Sequence, residues 1–203
     1  MFSATQILGQ IMSLLKILLT VVISFTILIS QVAAQETNNV DENLQKSRAV
    51  IQELHASLSK EFSIAIKEGE IEKAIDICHK SAQGITNSFK TDNQSIRRVS
   101  LKIRNPKNIP DSYEHEKLMQ IERDKIKGKL QTEYYEVTEE SGVQYFRYLS
   151  PIIIKPPCLS CHGEKGKLSP AVLKAIEGKY PKDKAIDYRS GDMRGAFSLK
   201  IKQ

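Results

Sequence analysis

Cys158, Cys161 and His162 form the group of residues in this sequence best suited to carry chemistry. They lie in the segment Pro157-Cys-Leu-Ser-Cys-His-Gly163 and follow the pattern C-x-x-C-H. Two residues between the cysteines allow each thiol to bond to one vinyl group of the same porphyrin, and the adjacent histidine is then placed to ligate the iron. The pattern predicts one covalently attached haem c, with both cysteines as attachment sites and His162 as an iron ligand.

Three other interpretations of the motif remain open. Cys158 and Cys161 could form a structural disulfide in an oxidising compartment. A thioredoxin-like redox pair normally follows a buried strand in a βαβ unit, and the sequence lacks that setting. A zinc site could combine the motif with Cys78, but a second pair of ligands is missing. Haem attachment also requires export of the chain, and the N-terminus supplies an export signal.

The ligand on the other face of the iron is not settled by the sequence pattern. Cys78 is the third cysteine and lies in the centre of an apolar helical stripe, where a small buried core residue is the simplest interpretation. A thiolate ligand would push electron density onto the iron and lower its reduction potential. The alternatives are His55, His79, His115, Met119 and Met193.

Two amphipathic helices begin the body of the chain. Apolar residues recur at helical spacing over residues 44–66 and again over residues 71–89, with Cys78 in the second stripe. The first stripe fits packing on its own domain, and it also fits the interface of a homodimer.

The period then changes to the alternation of a strand. Over residues 96–104 apolar side chains alternate with basic ones, which predicts a strand with Arg98 and Arg104 on its basic face. Haem propionates require cations, and arginine binds carboxylates through two hydrogen bonds, so we expect these two arginines to bind the propionates. The alternative is a solvated basic face.

The remaining elements alternate between helices and strands. The patterns predict a helix from Asp111 to about Leu130, two strands over residues 132–138 and 143–154, a helix from Ser169 to Gly178 and a last strand over residues 195–201. Strands joined by hairpins and interrupted by helices predict an α+β fold. Its antiparallel sheet would have flanking helices and follow an N-terminal helix pair.

The N-terminus is typical of a targeting segment. Residues 1–34 contain Lys16, a long apolar run and the small-residue sequence Val32-Ala-Ala34, as expected of a signal peptide. An uncleaved anchor with membrane association is the alternative. We expect residues 35–42 to be a flexible lead-in and residues 43–203 to form one domain. Either interpretation predicts a periplasmic or otherwise extracytoplasmic protein, anchored if the leader is retained.

The net charge of +6 does not indicate nucleic-acid binding, because basic and acidic residues are interleaved along the chain. No defensible acid–base constellation accompanies the C-x-x-C-H motif. The sequence therefore predicts that the protein is not an enzyme.

Four segments together resemble a known family of exported c-type haem domains of unknown function with a PAS-like fold. They are Ala74–Ala82, Arg97–Asp111, Pro157–Gly163 and Gly191–Ser198, and the resemblance covers about residues 40–203. The resemblance implies haem c with His162 as proximal ligand. In at least one type of member a cysteine is the opposite ligand, and that cysteine corresponds to Cys78 here.

Two functions of different class follow. The first is a redox or diatomic-gas sensor, in which a displaceable thiolate passes a signal through its helix to the first helix and on to a signalling partner protein. The second is a periplasmic electron-transfer cytochrome c with a redox partner.

Overall fold

The computed structural model describes Met12, Thr26, Gln31 and residues 38–64 and 71–203. The chain divides into two units, Met1–Asn43 and Leu44–Gln203. In the first unit every described residue is helical, including residues 38–42 of the predicted flexible lead-in. Nearly all of the predicted signal peptide or anchor over residues 1–34 lies outside the described residues. No helix among the described residues is long and apolar enough to cross a membrane.

The second unit contains helices and four strands. The helices are α1 (residues 44–64), α2 (Ile71–Asp76), α3 (Ala82–Ser88), α4 (Ser112–Ile126), α5 (Leu159–His162) and α6 (Pro170–Lys179), with a π-helical turn (Ile77–Ser81) between α2 and α3. The strands are β1 (Gln94–Val99), β2 (Tyr134–Glu140), β3 (Val143–Ile153) and β4 (Met193–Lys202). All strand pairs are antiparallel, in the order β1-β4-β3-β2. The predicted α+β class is confirmed, and the open sheet with flanking helices is consistent with a PAS-like fold.

Each face of the sheet packs against a different set of helices. One face contributes Val99, Leu149 and Ala196, which form a core cluster with Leu118 and Ile121 of α4. On the other face, Phe197 of β4 contacts the His55 ring of α1, with 6.0 Å between ring centroids. The central part of β3 and most of β4 are therefore buried, whereas most of β2 is exposed. The side of the sheet that faces α1 carries the candidate site.

Helix α4 begins as the sequence predicts. The Asp111 carboxylate accepts a hydrogen bond from the Glu114 amide at 2.7 Å, and the Glu114 carboxylate accepts one from the Asp111 amide at 2.8 Å. These bonds satisfy amides that have no partner within the helix. The helix ends at Ile126 rather than near Leu130, because Gly128 adopts a left-handed conformation with φ of 68°.

The strand predicted over residues 96–104 is wrong in its second half. β1 ends at Val99, where the Ser100 amide donates to the carbonyl of Asn108 at 3.3 Å instead of continuing the ladder. The Ser100 hydroxyl also hydrogen-bonds the carbonyls of Lys102 and Arg194. These bonds turn the chain away from the sheet. Arg104 therefore does not lie on the strand that carries Arg98.

The second predicted helix is interrupted at its centre. Instead of one helix over residues 71–89, the chain forms α2, the π-helical turn and α3 in succession. A π-helical turn carries one more residue per hydrogen-bonded turn than an α-helix and is frequent at functional sites. The interruption falls on the segment that contains Cys78.

Candidate cofactor cavity

A cavity of about 430 Å³ lies between α1, α2, the sheet and the C-x-x-C-H segment. Its size falls within the range of about 300–1,000 Å³ that is typical of ligand pockets. All three residues of the motif line it. Apolar residues from both sides of the site also line it, among them Leu58, Phe62, Ile75, Val99, Ile152 and Phe197. The walls are therefore largely apolar, with a small number of polar groups.

The two thiols lie on one turn of helix. Cys158 directly precedes α5 and Cys161 lies three residues later, so both side chains project from the same side of the turn. Cys161 is buried in a cluster with Ile75 and Leu168, whereas Cys158 packs against Ile154. The structure places no disulfide between these two described cysteines. Both thiols border the cavity, as attachment to one ligand requires.

The imidazole of His162 is held by a backbone carbonyl. Its Nδ1 donates to the oxygen of Ala185 at 2.7 Å, which leaves Nε2 as the nitrogen with a lone pair. Burial, and then the positive charges of Arg194 and Arg104, hold the pKa of His162 well below its ordinary value. Metal-ligating histidines are neutral and commonly donate their other nitrogen to a carbonyl in this way. This arrangement would leave Nε2 oriented and available to bind a metal ion, and the role of His162 as an iron ligand stays a prediction.

The position after the motif, Gly163, has no room for a side chain. A Cβ atom at Gly163 would lie 2.6 Å from the carbonyl oxygen of Leu159. The close approach lets the chain turn sharply out of α5, and the turn is then bonded to a later segment. The Asp187 amide donates to the Gly163 carbonyl at 2.9 Å, and the Tyr188 amide donates to the His162 carbonyl at 3.0 Å. The segment 183–188 thus holds the motif in place through backbone hydrogen bonds. No sequence pattern indicated this role.

The charged residues that line the cavity are all cations. Among its described lining residues there is no aspartate or glutamate, and the basic ones are Arg98, Arg104, Lys155 and Arg194. Charges in a largely apolar cavity require counter-charges. The lining therefore suits a flat apolar ligand that carries carboxylates and can bond to two thiols.

Arg194 is a cavity residue that the sequence analysis missed. Ile152 pairs with Gly195 and Ile153 pairs with Met193, so Arg194 is the extra residue of a β-bulge in β4. Bulges re-aim side chains and are frequent beside functional sites. The Arg194 guanidinium donates to the Ser100 hydroxyl at 2.6 Å and to the Lys102 carbonyl at 3.1 Å. Only the pairing register of the strands reveals this bulge, so periodicity could not have found it.

Replacing Gly195 with alanine is expected to destabilise the bulge. The φ of Gly195 is +154°, and an added Cβ would lie 2.1 Å from the Val99 carbonyl oxygen of the neighbouring strand. We expect a loss of about 3 kcal/mol in the free energy of unfolding, measured by urea denaturation. Gly166→Ala is the matched control, because no atom lies within 4 Å of its added Cβ. Equal stability of the two variants would contradict the expectation.

The predicted propionate partners differ in their contacts. Arg98 lines the cavity, whereas Arg97 lies on the opposite face of β1 with its guanidinium 3.3 Å from the Glu114 carboxylate. Arg104 also lines the cavity, but its guanidinium forms an ion pair with Asp183 at 2.9 Å. A role for Arg98 and Arg104 in binding propionates stays a prediction.

The candidates for a second iron ligand differ in their position relative to the cavity. His55 lines the cavity, and the exposed His79 ring packs against Tyr180, another lining residue, at 5.0 Å between centroids. The others do not line it: His115 and Met119 are exposed on α4, and Met193 lies in the core cluster on the opposite face of the sheet. The side chain of Cys78 lies outside the described residues, so its assignment stays a prediction.

Comparisons with known proteins agree with this fold. The sequence model of the Tll0287-like family matches residues 28–202. The chain belongs to the Tll0287-like family. Its fold is similar to the crystal structure of the cyanobacterial haem protein Tll0287, with a TM-score of 0.59 and 24% sequence identity over 80% of this chain and 96% of that chain. A comparison with curated protein sequences gives no match.

Proposed function

We propose that the protein binds one haem c in the cavity and acts outside the cytoplasmic membrane as a redox or diatomic-gas sensor. Membership of the Tll0287-like family supports haem binding, because Tll0287, whose crystal structure has a similar fold, is described as a haem protein. Covalent attachment through Cys158 and Cys161 and ligation by His162 are the specific form that we propose for this chain. We expect the signal to pass to a partner protein.

The observation that carries the proposal is the combination of groups around one cavity. Two thiols on one helical turn and an imidazole with its Nε2 lone pair available share walls that are apolar and cationic. A haem carries vinyl groups for the thiols, iron for the imidazole, an apolar ring and two carboxylates. The bound group would supply electron exchange and the binding of diatomic gases at iron. Each residue type in the cavity therefore corresponds to a part of the haem.

The helices α1 and α2 form one wall of the cavity, and this favours a sensor over an electron carrier. Leu58 and Phe62 of α1 and Ile75 of α2 line the cavity beside the π-helical turn. A change at the iron would therefore act directly on two helices. The π-helical turn Ile77–Ser81 also interrupts the helix next to the cavity, and such turns are frequent at functional sites. An electron carrier needs no such element.

Absorption spectra of the full chain test haem attachment. The chain is produced together with a haem-maturation system, and a pyridine haemochrome assay is combined with spectra of the oxidised and dithionite-reduced protein. We expect the haemochrome of a c-type haem at one haem per chain. A protein that is colourless after maturation would contradict the proposal. The motif would then be interpreted as a disulfide or a zinc site.

Replacing Cys78 with serine tests the sensor. We expect Cys78→Ser to keep the covalent haem but to lose the oxidised-state band pattern of a thiolate ligand, because a hydroxyl is a poor replacement for a thiolate on ferric iron. His115→Ala is the control, since His115 lies on α4 and does not line the cavity. An unchanged spectrum would show that Cys78 does not ligate the iron. A low-spin spectrum without thiolate character in both redox states would favour the electron carrier.

A further inference from the structure

We propose that Arg104 and Asp183 form a positioning pair that acts through the Ala185 carbonyl on His162 and sets the reduction potential of the bound haem. The inference rests on the proposed function. It gives Arg104 a role through the proximal histidine, which is distinct from the propionate binding expected from the sequence.

Arg104 and Asp183 form two hydrogen bonds with each other, and both side chains are nearly buried. The Nε and Nη2 atoms of Arg104 donate to the two carboxylate oxygens of Asp183 at 3.1 and 2.9 Å. The side chains of Arg104 and Asp183 are 10% and 8% exposed. A fork-to-fork pair of this kind fixes the orientation of both groups. The guanidinium is therefore held in one place relative to the backbone around it.

The Arg104 guanidinium and the His162 imidazole share one acceptor. Nη2 of Arg104 donates to the Ala185 carbonyl at 3.0 Å, and His162 Nδ1 donates to the same oxygen at 2.7 Å. Nη2 carries two hydrogens: one is directed at Asp183, and the other is shared between the Ala185 carbonyl and the Cys161 carbonyl, which lies 2.7 Å away within the motif. On the other side, Asp183 accepts from the Ala185 amide at 2.8 Å. The pair thus fixes the carbonyl that orients the imidazole and limits how strongly it accepts from Nδ1.

Loss of the guanidinium lowers the potential for two reasons that agree in sign. A positive charge near the iron favours the reduced state, so its removal favours the oxidised state. The Ala185 carbonyl, relieved of a competing donor, accepts more strongly from His162 and makes the imidazole a more basic ligand.

Loss of the carboxylate charge has the opposite effect. In Asp183→Asn the positive charge of Arg104 is no longer compensated, and the reduced state is favoured. The asparagine oxygen can still accept from the Ala185 amide. The two halves of one ion pair therefore shift the potential in opposite directions, whereas a loosened loop would shift it in the same direction in both variants.

Potentiometric titration of the haem-loaded full chain tests the pair. We expect Arg104→Gln to lower and Asp183→Asn to raise the potential, each by about tenfold in the oxidised-to-reduced ratio, or about 59 mV for one electron. The double variant removes both charges, and its potential is expected to lie between those of the two single variants. Arg123→Gln is the control, because Arg123 is exposed on α4 and does not line the cavity.

Each outcome has a defined meaning. Equal potentials, or shifts of one sign in both single variants, would overturn the role of the pair while leaving haem binding intact. If Arg104→Gln fails to retain haem, the Asp183→Asn variant alone tests the inference. A potential of that variant at or below the wild-type value would overturn it. A wild-type protein without haem would overturn the proposed function itself, and that result precedes any titration.

Discussion

Replacing Cys158 and Cys161 together with alanine is expected to abolish covalent haem attachment. Both thiols border the cavity from one helical turn, and each forms one thioether in the proposed site. We expect the double variant to lose its haem on extraction with acidified acetone, whereas the wild type keeps it on the chain. Each single variant is expected to keep one thioether, with a haemochrome band between those of haem c and haem b.

The third cysteine of the chain provides the control for that experiment. Cys78→Ser removes a thiol from the chain but leaves the motif unchanged, so its haem is expected to resist extraction like that of the wild type. A double variant of Cys158 and Cys161 that still retained haem after extraction would show that attachment does not depend on the motif.

Replacing Arg147 with alanine is expected to cause the largest loss of stability outside the cavity. The Arg147 side chain is 2% exposed and donates to Asp111 at 3.0 Å and to Glu140 at 2.8 Å. Its guanidinium also lies 4.1 Å from the centroid of the Tyr113 ring. It therefore joins the start of α4 to the β2–β3 hairpin. The two carboxylates are 44% exposed, so the loss comes from the charged hydrogen bonds and the packing of the buried Arg147 side chain, and we expect about 3 kcal/mol in the free energy of unfolding.

Urea denaturation followed by circular dichroism measures that loss in the haem-loaded full chain. Arg123→Ala is the matched control, because Arg123 lies exposed on α4 and removal of an exposed cation changes stability little. We expect the Arg147 variant to unfold at a lower urea concentration with an unchanged denaturant slope. Equal midpoints for the two variants would show that the network around Arg147 does not stabilise the sheet.

The sequence predicts those parts of the fold that depend on nearby residues. The apolar stripe of α1 recurs at helical spacing, and Leu44, Ile51 and Leu54 are indeed buried. The capping bonds of α4 join residues three positions apart. The C-x-x-C-H motif is local as well, so its three residues could be found without knowledge of the fold.

The errors arise where distant residues decide the local structure. The alternation over residues 96–104 predicts one strand, but Ser100 leaves the sheet because of bonds to Asn108 and to Arg194, which is 94 residues away. The arginines were therefore assigned to one face on the basis of a strand that ends earlier. The bulge that carries Arg194 is defined by the pairing of β4 with β3, a strand about 40 residues earlier in the chain, and the alternation within β4 alone does not locate it.

The support of the motif by residues 183–188 could not be inferred for the same reason. Ala185 is 23 residues from His162, and Asp183 is 79 residues from Arg104. Neither Ala185 nor Asp183 belongs to a pattern that indicates a role at a cofactor. A residue that acts through its backbone carbonyl, as Ala185 does, is also not marked by its side chain.

In the proposed haem c protein, the separation between His162 and its supporting residues would divide maturation into two stages. The thiols and the imidazole lie within five consecutive residues, so an unfolded chain already presents the three side chains that we propose hold the haem. The carbonyl that orients the imidazole, and the ion pair beside it, come together only when residues 104 and 183–185 have reached their folded positions. A haem attached early would therefore change its spectrum when folding is complete, and its colour would report, in the living cell, how much of the protein has folded.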